Sequence, residues 1–266
     1  MTDIGYFRLM KGVLSPDAIR FLKEAAKQYL QPQDAIPSYV LLDRLQSPVV
    51  AAIEALVERE VGRKPYYLND FYLYSDAAFG AGWHVDTELF TFEDCLNAWI
   101  LLAPDAISNP LAFISQVNDG PDNYFHSLRR DGDQALFANC SNGRQHRLAL
   151  ADIEARRVTT PTVEVGDILL LDPKKFHKTN TTAPKHTIVI KFAFETPNGF
   201  RAANPVPSLF WPEVRLFNRL LAQSPDWTQF LEQLRAALQN PEARRDLSAG
   251  FFPEKIALYR SMVATL

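Results

Sequence analysis

The chain is short of cysteine, of histidine and of net charge, and each shortage removes a class of explanation. Two cysteines in 266 residues, Cys95 and Cys140, cannot build the disulfide framework that staples small secreted domains. A formal charge of −3 gives no basic surface for neutralising phosphates, which argues against nucleic acid as a partner. No apolar run approaches the roughly 18 residues of a membrane helix. The opening MTDIGYFRLMKGVL lacks the basic and apolar regions of a secretory signal. No internal repeat and no low-complexity tract interrupts the chain. The expectation is a soluble cytoplasmic protein, with neither membrane nor nucleic-acid partners. Its 47% hydrophobic content is enough for a sizeable core.

What is present changes period along the chain. LSPDAIRFLKEAAKQYL opens with Ser15-Pro16, a capping residue followed by proline, and Ile19, Leu22, Ala26 and Leu30 recur at helical spacing. A second helix is expected from Ser47-Pro48 to Gly62. The period then falls to two. PYYLNDFYLYSD, LNAWILLAP and NPLAFISQ read as strands, and PTVEVGDILLLDP contains one or two more around a Gly166-Asp167 turn. FHKTNTT and HTIVIKFAFE read as a hairpin around Ala183-Pro184. Residues 117–160 are rich in Asp, Asn, Arg and Gly with weak periodicity, and are expected to form an irregular, lid-like insertion. From about residue 208 the helical period returns. Phe210, Val214, Phe217 and Leu221 make one stripe, and Phe230, Leu234 and Leu238 another. These helices either cover the sheet or form a homodimer interface. Helices, then strands, then helices predict one α+β domain over 1–266, built around a β-barrel or sandwich.

Only five histidines are available. His84 and Asp86, in GWHVDTELF, are spaced so that a strand would point both to one face. His177, in DPKKFHKTN, is the best third ligand. Two imidazoles and a carboxylate on one face of a metal leave its other positions open, the arrangement of non-haem Fe(II) oxygenases. An H-x-D pair taken alone is weak, since such pairs arise by chance. His126 and His146 lie in the irregular stretch and His186 begins the last strand, so they are poorer candidates.

The order of these motifs resembles the Fe(II)/2-oxoglutarate-dependent oxygenases, and among them the phytanoyl-CoA dioxygenase-like branch. GVLSPDAIRFLKEAA looks like that branch's first helix, and FYLYSDAAFGAGWHVD its strand–loop–H-x-D segment. NAWILLAP…NPLAFI looks like its next hairpin, and GDILLLDPKKFHKTN its second-histidine region. The similarity runs from about residue 8 to 196. It implies a double-stranded β-helix (jelly-roll, cupin-like) core with N- and C-terminal helices, and Fe(II) held by His84, Asp86 and His177. It also implies oxidative decarboxylation of 2-oxoglutarate with O2, giving succinate and CO2 while a C–H bond of a small-molecule substrate is oxidised. Related halogenases lack the carboxylate ligand, so Asp86 points to hydroxylation, desaturation or cyclisation.

The family anchors the far carboxylate of 2-oxoglutarate with an arginine, sometimes a lysine, after the second histidine. No arginine lies between His177 and Arg201 here. Alternation along HTIVIKFAFE puts Thr187, Val189 and Lys191 on one face. Ile188, Ile190, Phe192 and Phe194 fall on the other, which should pack under helices. Lys191 is the preferred anchor, because a hairpin at Ala183-Pro184 would set it across from His177. Lys185 is the rival, since Lys185-His186-Thr187 echoes the family's R-x-S pattern. Tyr72, Tyr74 and Asn69 are further candidates for contacts to the co-substrate. Arg129 and Arg130 are candidates for clamping an acidic group of the substrate. Two other readings stay open: a metal-dependent hydrolase or isomerase on the same barrel, and an inert ligand-binding barrel.

Overall fold

The computed structural model describes residues 7–29, 48–75, 94–103, 111–114, 125–131, 134–139, 145–149, 158–173, 175, 177–179, 184–197, 219–220 and 222–240. Among the described residues, α1 (Pro16–Tyr29), α2 (Pro48–Val61) and α3 (Trp227–Gln239) are helices. Their ends follow from local chemistry. Ser15 Oγ accepts the Ala18 amide proton at 3.2 Å, and Asp226 accepts that of Gln229 at 2.9 Å. Gly62, at φ 72°, ends α2 in the left-handed conformation that glycine adopts without strain.

The strands are β1 (Phe7–Met10), β2 (Tyr66–Ser75), β3 (Cys95–Ala103), β4 (Leu111–Ile114), β5 (Phe125–Asp131), β6 (Gln134–Asn139), β7 (Gln145–Ala149), β8 (Val158–Thr159), β9 (Ile168–Leu171), β10 (His177–Thr179) and β11 (Lys185–Ala193). They form antiparallel sheets ordered β1-β9-β3-β11-β2, β10-β4-β8 and β5-β6-β7.

In β3, β9 and β11, the inner strands of the five-stranded sheet, both faces are buried. Ile188, Ile190 and Phe192 of β11 join Ala98, Ile100, Ile168 and Leu170 against Leu22 and Ala26 of α1, Ile53 and Val57 of α2, and Phe230 and Leu234 of α3. The stripe Phe230–Leu234 thus covers the sheet. The opposite-parity residues Val189, Trp99, Leu101, Leu169 and Leu171 pack with Leu111 and Phe113 of β4. This second cluster joins the five-stranded sheet to the sheet of β4 and is called the inner face below. Burial on two sides explains why ILLL and TIVIKFA read as nearly continuous apolar runs.

Three expectations are corrected. The expected hairpins do not form: β3 and β4 lie in different sheets, and so do β10 and β11. A strand that is apolar on both faces does not reveal its partner, and here the chain steps between sheets. Residues 117–160 contain the three-strand meander β5-β6-β7, and β8 pairs with β4. The meander strands are polar, which hides their alternation. Finally, β1 was not expected; it pairs with β9 about 160 residues later, a contact no local pattern encodes. The stripe Phe210–Leu221 lies outside the described residues.

Asp167 fastens the turn before β9. It accepts the amide protons of Gly12 at 2.8 Å and Glu164 at 2.9 Å, and pairs with Lys11 at 2.9 Å. Burial opposes its charge, but these partners hold its carboxyl below the ordinary value.

Candidate metal and co-substrate site

His177 opens β10 directly opposite Phe113 of β4, and only 4% of it is exposed. Phe113 packs in the inner cluster, and its ring lies 6.1 Å from the His177 ring. The Nδ1 of His177 is 2.8 Å from the Lys175 carbonyl oxygen. A carbonyl can only accept, so Nδ1 carries the proton and the lone pair of the neutral ring sits on Nε2. Metal-binding histidines take this form, with the far nitrogen tied to a carbonyl that fixes ring and tautomer. His84 and Asp86, the other two expected ligands, lie outside the described residues. Among the described residues no three His, Cys, Asp or Glu side chains group as a metal site.

β11 runs between β2 and β3 and presents Lys185, Thr187, Val189 and Lys191 on the parity of the inner face. Lys185 is 1% exposed and Lys191 2%. Lys191 stands in register with Asn69 on β2 and Asn97 on β3, a polar row across three strands, and Asn97 is itself buried. Asn97 was missed at sequence level, although its parity with Trp99 in LNAWILL would have found it. Tyr72 stands opposite Ile188, on the helix-covered face, and Tyr74 shares the register row of His186. The expected contact of Tyr72 with a co-substrate beside Lys191 is therefore corrected, since its ring packs on the helix-covered face; the Tyr74 side chain lies outside the described residues. The Tyr72 hydroxyl lies 2.6 Å from His186 Nδ1.

The preference for Lys191 over Lys185 also loses its premise, because β10 pairs with β4 while β11 pairs with β2 and β3. Chain ends locate the lysines instead. β3 leaves the large sheet at Ala103, opposite His186, and β4 begins at Leu111, opposite Thr179. β10 ends at Thr179 and β11 begins at Lys185; β2 ends at Ser75, opposite Lys185, before the chain continues toward His84. His177 is two residues from the end of β10. Lys185 and Thr187 are at the start of β11, whereas Lys191 is six residues along the strand from Lys185, about 20 Å away at ~3.3 Å per residue. The apolar row of Val189, Trp99 and Leu169 stands between the Thr187 and Lys191 rows. Burial pushes the Lys185 ammonium down to about 8. Thr187 donates its hydroxyl to the Leu73 carbonyl at 3.3 Å.

Arg129 and Arg130 are consecutive on β5. Their side chains, the expected clamp on the substrate, lie outside the described residues. Arg129 shares a register row with Leu136 and Arg147.

No family model matches this sequence, and no curated protein matches it. Among solved structures, the chain is similar to the non-haem alpha ketoglutarate-dependent carbocyclase SnoK from nogalamycin biosynthesis. The TM-score is 0.54 at 15% identity, covering 76% of this chain and 84% of that one. It is also similar to the epimerase SnoN in complex with Fe3+, alpha ketoglutarate and nogalamycin RO. There the TM-score is 0.50 at 16% identity, covering 71% of this chain and 79% of that one. At such identity the likeness is one of fold.

Proposed function

We propose that this chain is a cytoplasmic non-haem Fe(II)/2-oxoglutarate-dependent dioxygenase on a double-stranded β-helix core. It hydroxylates, desaturates or cyclises a small-molecule metabolite or natural-product intermediate, releasing succinate and CO2. The observation that carries this reading is the carbonyl-anchored, buried imidazole of His177, in a fold that also buries a lysine, Lys185, at the start of β11. The order of the motifs supports assigning it to the phytanoyl-CoA dioxygenase-like branch.

His84, Asp86 and His177 would hold the iron, which with 2-oxoglutarate and O2 supplies the oxidising chemistry. Lys185 would hold the far carboxylate, with Thr187 beside it. A buried ammonium is costly in apolar surroundings and is stabilised by a carboxylate. At neutral pH Lys185 is protonated, since its value of about 8 lies above 7. The packed layer of Trp99, Val189 and Leu169 keeps water from one side of the site. Arg129 would meet an acidic group of the substrate.

Anaerobic addition of Fe(II), then titration with 2-oxoglutarate, is expected to give a saturable visible charge-transfer band that disappears in His84→Ala and His177→Ala. Iron binding without the band would replace this reading with a metal-dependent hydrolase or isomerase. No metal binding would leave an inert ligand-binding barrel.

A further inference from the structure

His186 stands between the two residues assigned to the co-substrate, yet it faces the other side of the sheet. It is 7% exposed, and its Nδ1 meets the hydroxyl of Tyr72, which is fully buried. The ladder is irregular here. Against β3, His186 pairs with Ala103 and Thr187 with Leu101, so Leu102 is an extra residue. A bulge interrupts the regular hydrogen bonds and re-aims neighbouring side chains. The backbone ladder to β3 therefore does not by itself fix where Lys185 and Thr187 point. On its other flank, the β11 stretch Lys185–Lys191 keeps regular register with β2, and the bond from His186 to Tyr72 adds a side-chain tie across that pair.

We infer that His186 and Tyr72 are positioning residues, which hold the start of β11, opposite the bulge in β3, so that Lys185 and Thr187 present to the carboxylate of 2-oxoglutarate. The inference rests on the reading of Lys185 as the anchor. Burial, and then the charge of Lys23 on α1, push His186 down to about 4, so the ring stays neutral near pH 7 and Nδ1 can share one proton with the tyrosine.

The test compares Tyr72→Phe, His186→Leu, His186→Asn and Lys185→Met by anaerobic 2-oxoglutarate titration, Fe(II) affinity and thermal unfolding. Tyr72→Phe and His186→Leu are expected to raise the 2-oxoglutarate dissociation constant about tenfold, the loss of one buried hydrogen bond, with Fe(II) affinity unchanged. His186→Asn keeps a polar atom near the Nδ1 position and should restore most of the affinity. If Lys185→Met binds 2-oxoglutarate normally, the anchor reading fails and this inference with it. If Lys185→Met weakens binding while Tyr72→Phe and His186→Leu lower only the unfolding temperature, the inference alone is overturned.

Discussion

The two faces of β11 are equally buried and chemically unlike. On the helix-covered side, Ile188, Ile190 and Phe192 pack against three helices. The polar groups on that side bond to each other: His186 with Tyr72, and on β2 Asp70 with Tyr67 at 2.5 Å. On the inner side the same strand carries two lysines separated by Thr187 and Val189. On the proposed reading the buried lysines of the inner face serve to hold an acid, so one side of a single strand serves stability and the other binding.

The largest effect that would sharpen this division is on the stable side. Phe192→Ala removes a fully buried ring and should cost about 3–5 kcal/mol of folding stability. The remaining folded protein should keep its 2-oxoglutarate affinity. Denaturant unfolding and anaerobic titration together check this, and a shift in affinity with intact stability would erase the distinction between the faces.

On the binding side, Lys185→Met should weaken 2-oxoglutarate by about 10- to 100-fold, the range for a hydrogen bond to a charged group. Lys191→Met, beyond the apolar row, should leave affinity nearly unchanged. The opposite ranking would move the anchor to the Asn69–Lys191–Asn97 row. Lys185 also gives a pH signature. A lysine is charged below its pKa, so affinity should fall as pH rises above about 8. Lys185→Arg should retain affinity there, because arginine stays charged.

How much of this could be read from residues alone follows from the same alternation. Period two along HTIVIKFAFE separated the faces and put Lys191 and Thr187 together. It could not name the neighbouring strand, because LNAWILL and DILLL are apolar on both sides and look alike to any partner. The hairpins read from proximity in sequence were wrong for that reason, and the anchor preference built on them went with them. In the meander, hydrophobic contrast is absent, but turn chemistry was visible: Gly132-Asp133 and Asn142-Gly143 separate its strands. His186 looked like an ordinary strand opener because its role depends on Tyr72, 114 residues away.

Two groups titrate in opposite senses on the helix-covered face. His186, lowered from 6.5 to about 4, stays neutral in the fold while the unfolded chain takes up a proton below 6.5. Stability contributed by this group is therefore present above 6.5 and lost as pH falls toward 4. Asp70 works in the opposite sense. Burial raises its carboxyl well above the ordinary value, and its Oδ2 has no hydrogen-bond partner among the described residues. The unfolded chain ionises this group first as pH rises, so stability is lost upward from the ordinary carboxylate range. Asp70→Asn removes that titration. The variant should gain stability relative to the parent as pH rises from 4 to 8, and a pH-independent difference would show that Asp70 is ionised in the fold.

The smallest effect is expected in the meander, where the comparison of faces can be repeated on a second sheet. Arg129 and Arg147 occupy one register row on either side of Leu136, and Arg130 occupies the next row. Strands are about 4.8 Å apart, so the backbones of the two row-mates are roughly 10 Å apart, and on the proposed reading both serve one acidic group of the substrate. Arginine suits that role because its planar fork matches a carboxylate or phosphate. With a substrate in hand, Arg129→Ala and Arg147→Ala should each raise KM a few-fold at low ionic strength, less so at high salt. Arg130→Ala should change little. Equal effects from Arg129 and Arg130 would mean that the meander acts through its overall charge, since alternation in a strand gives two consecutive arginines no common face.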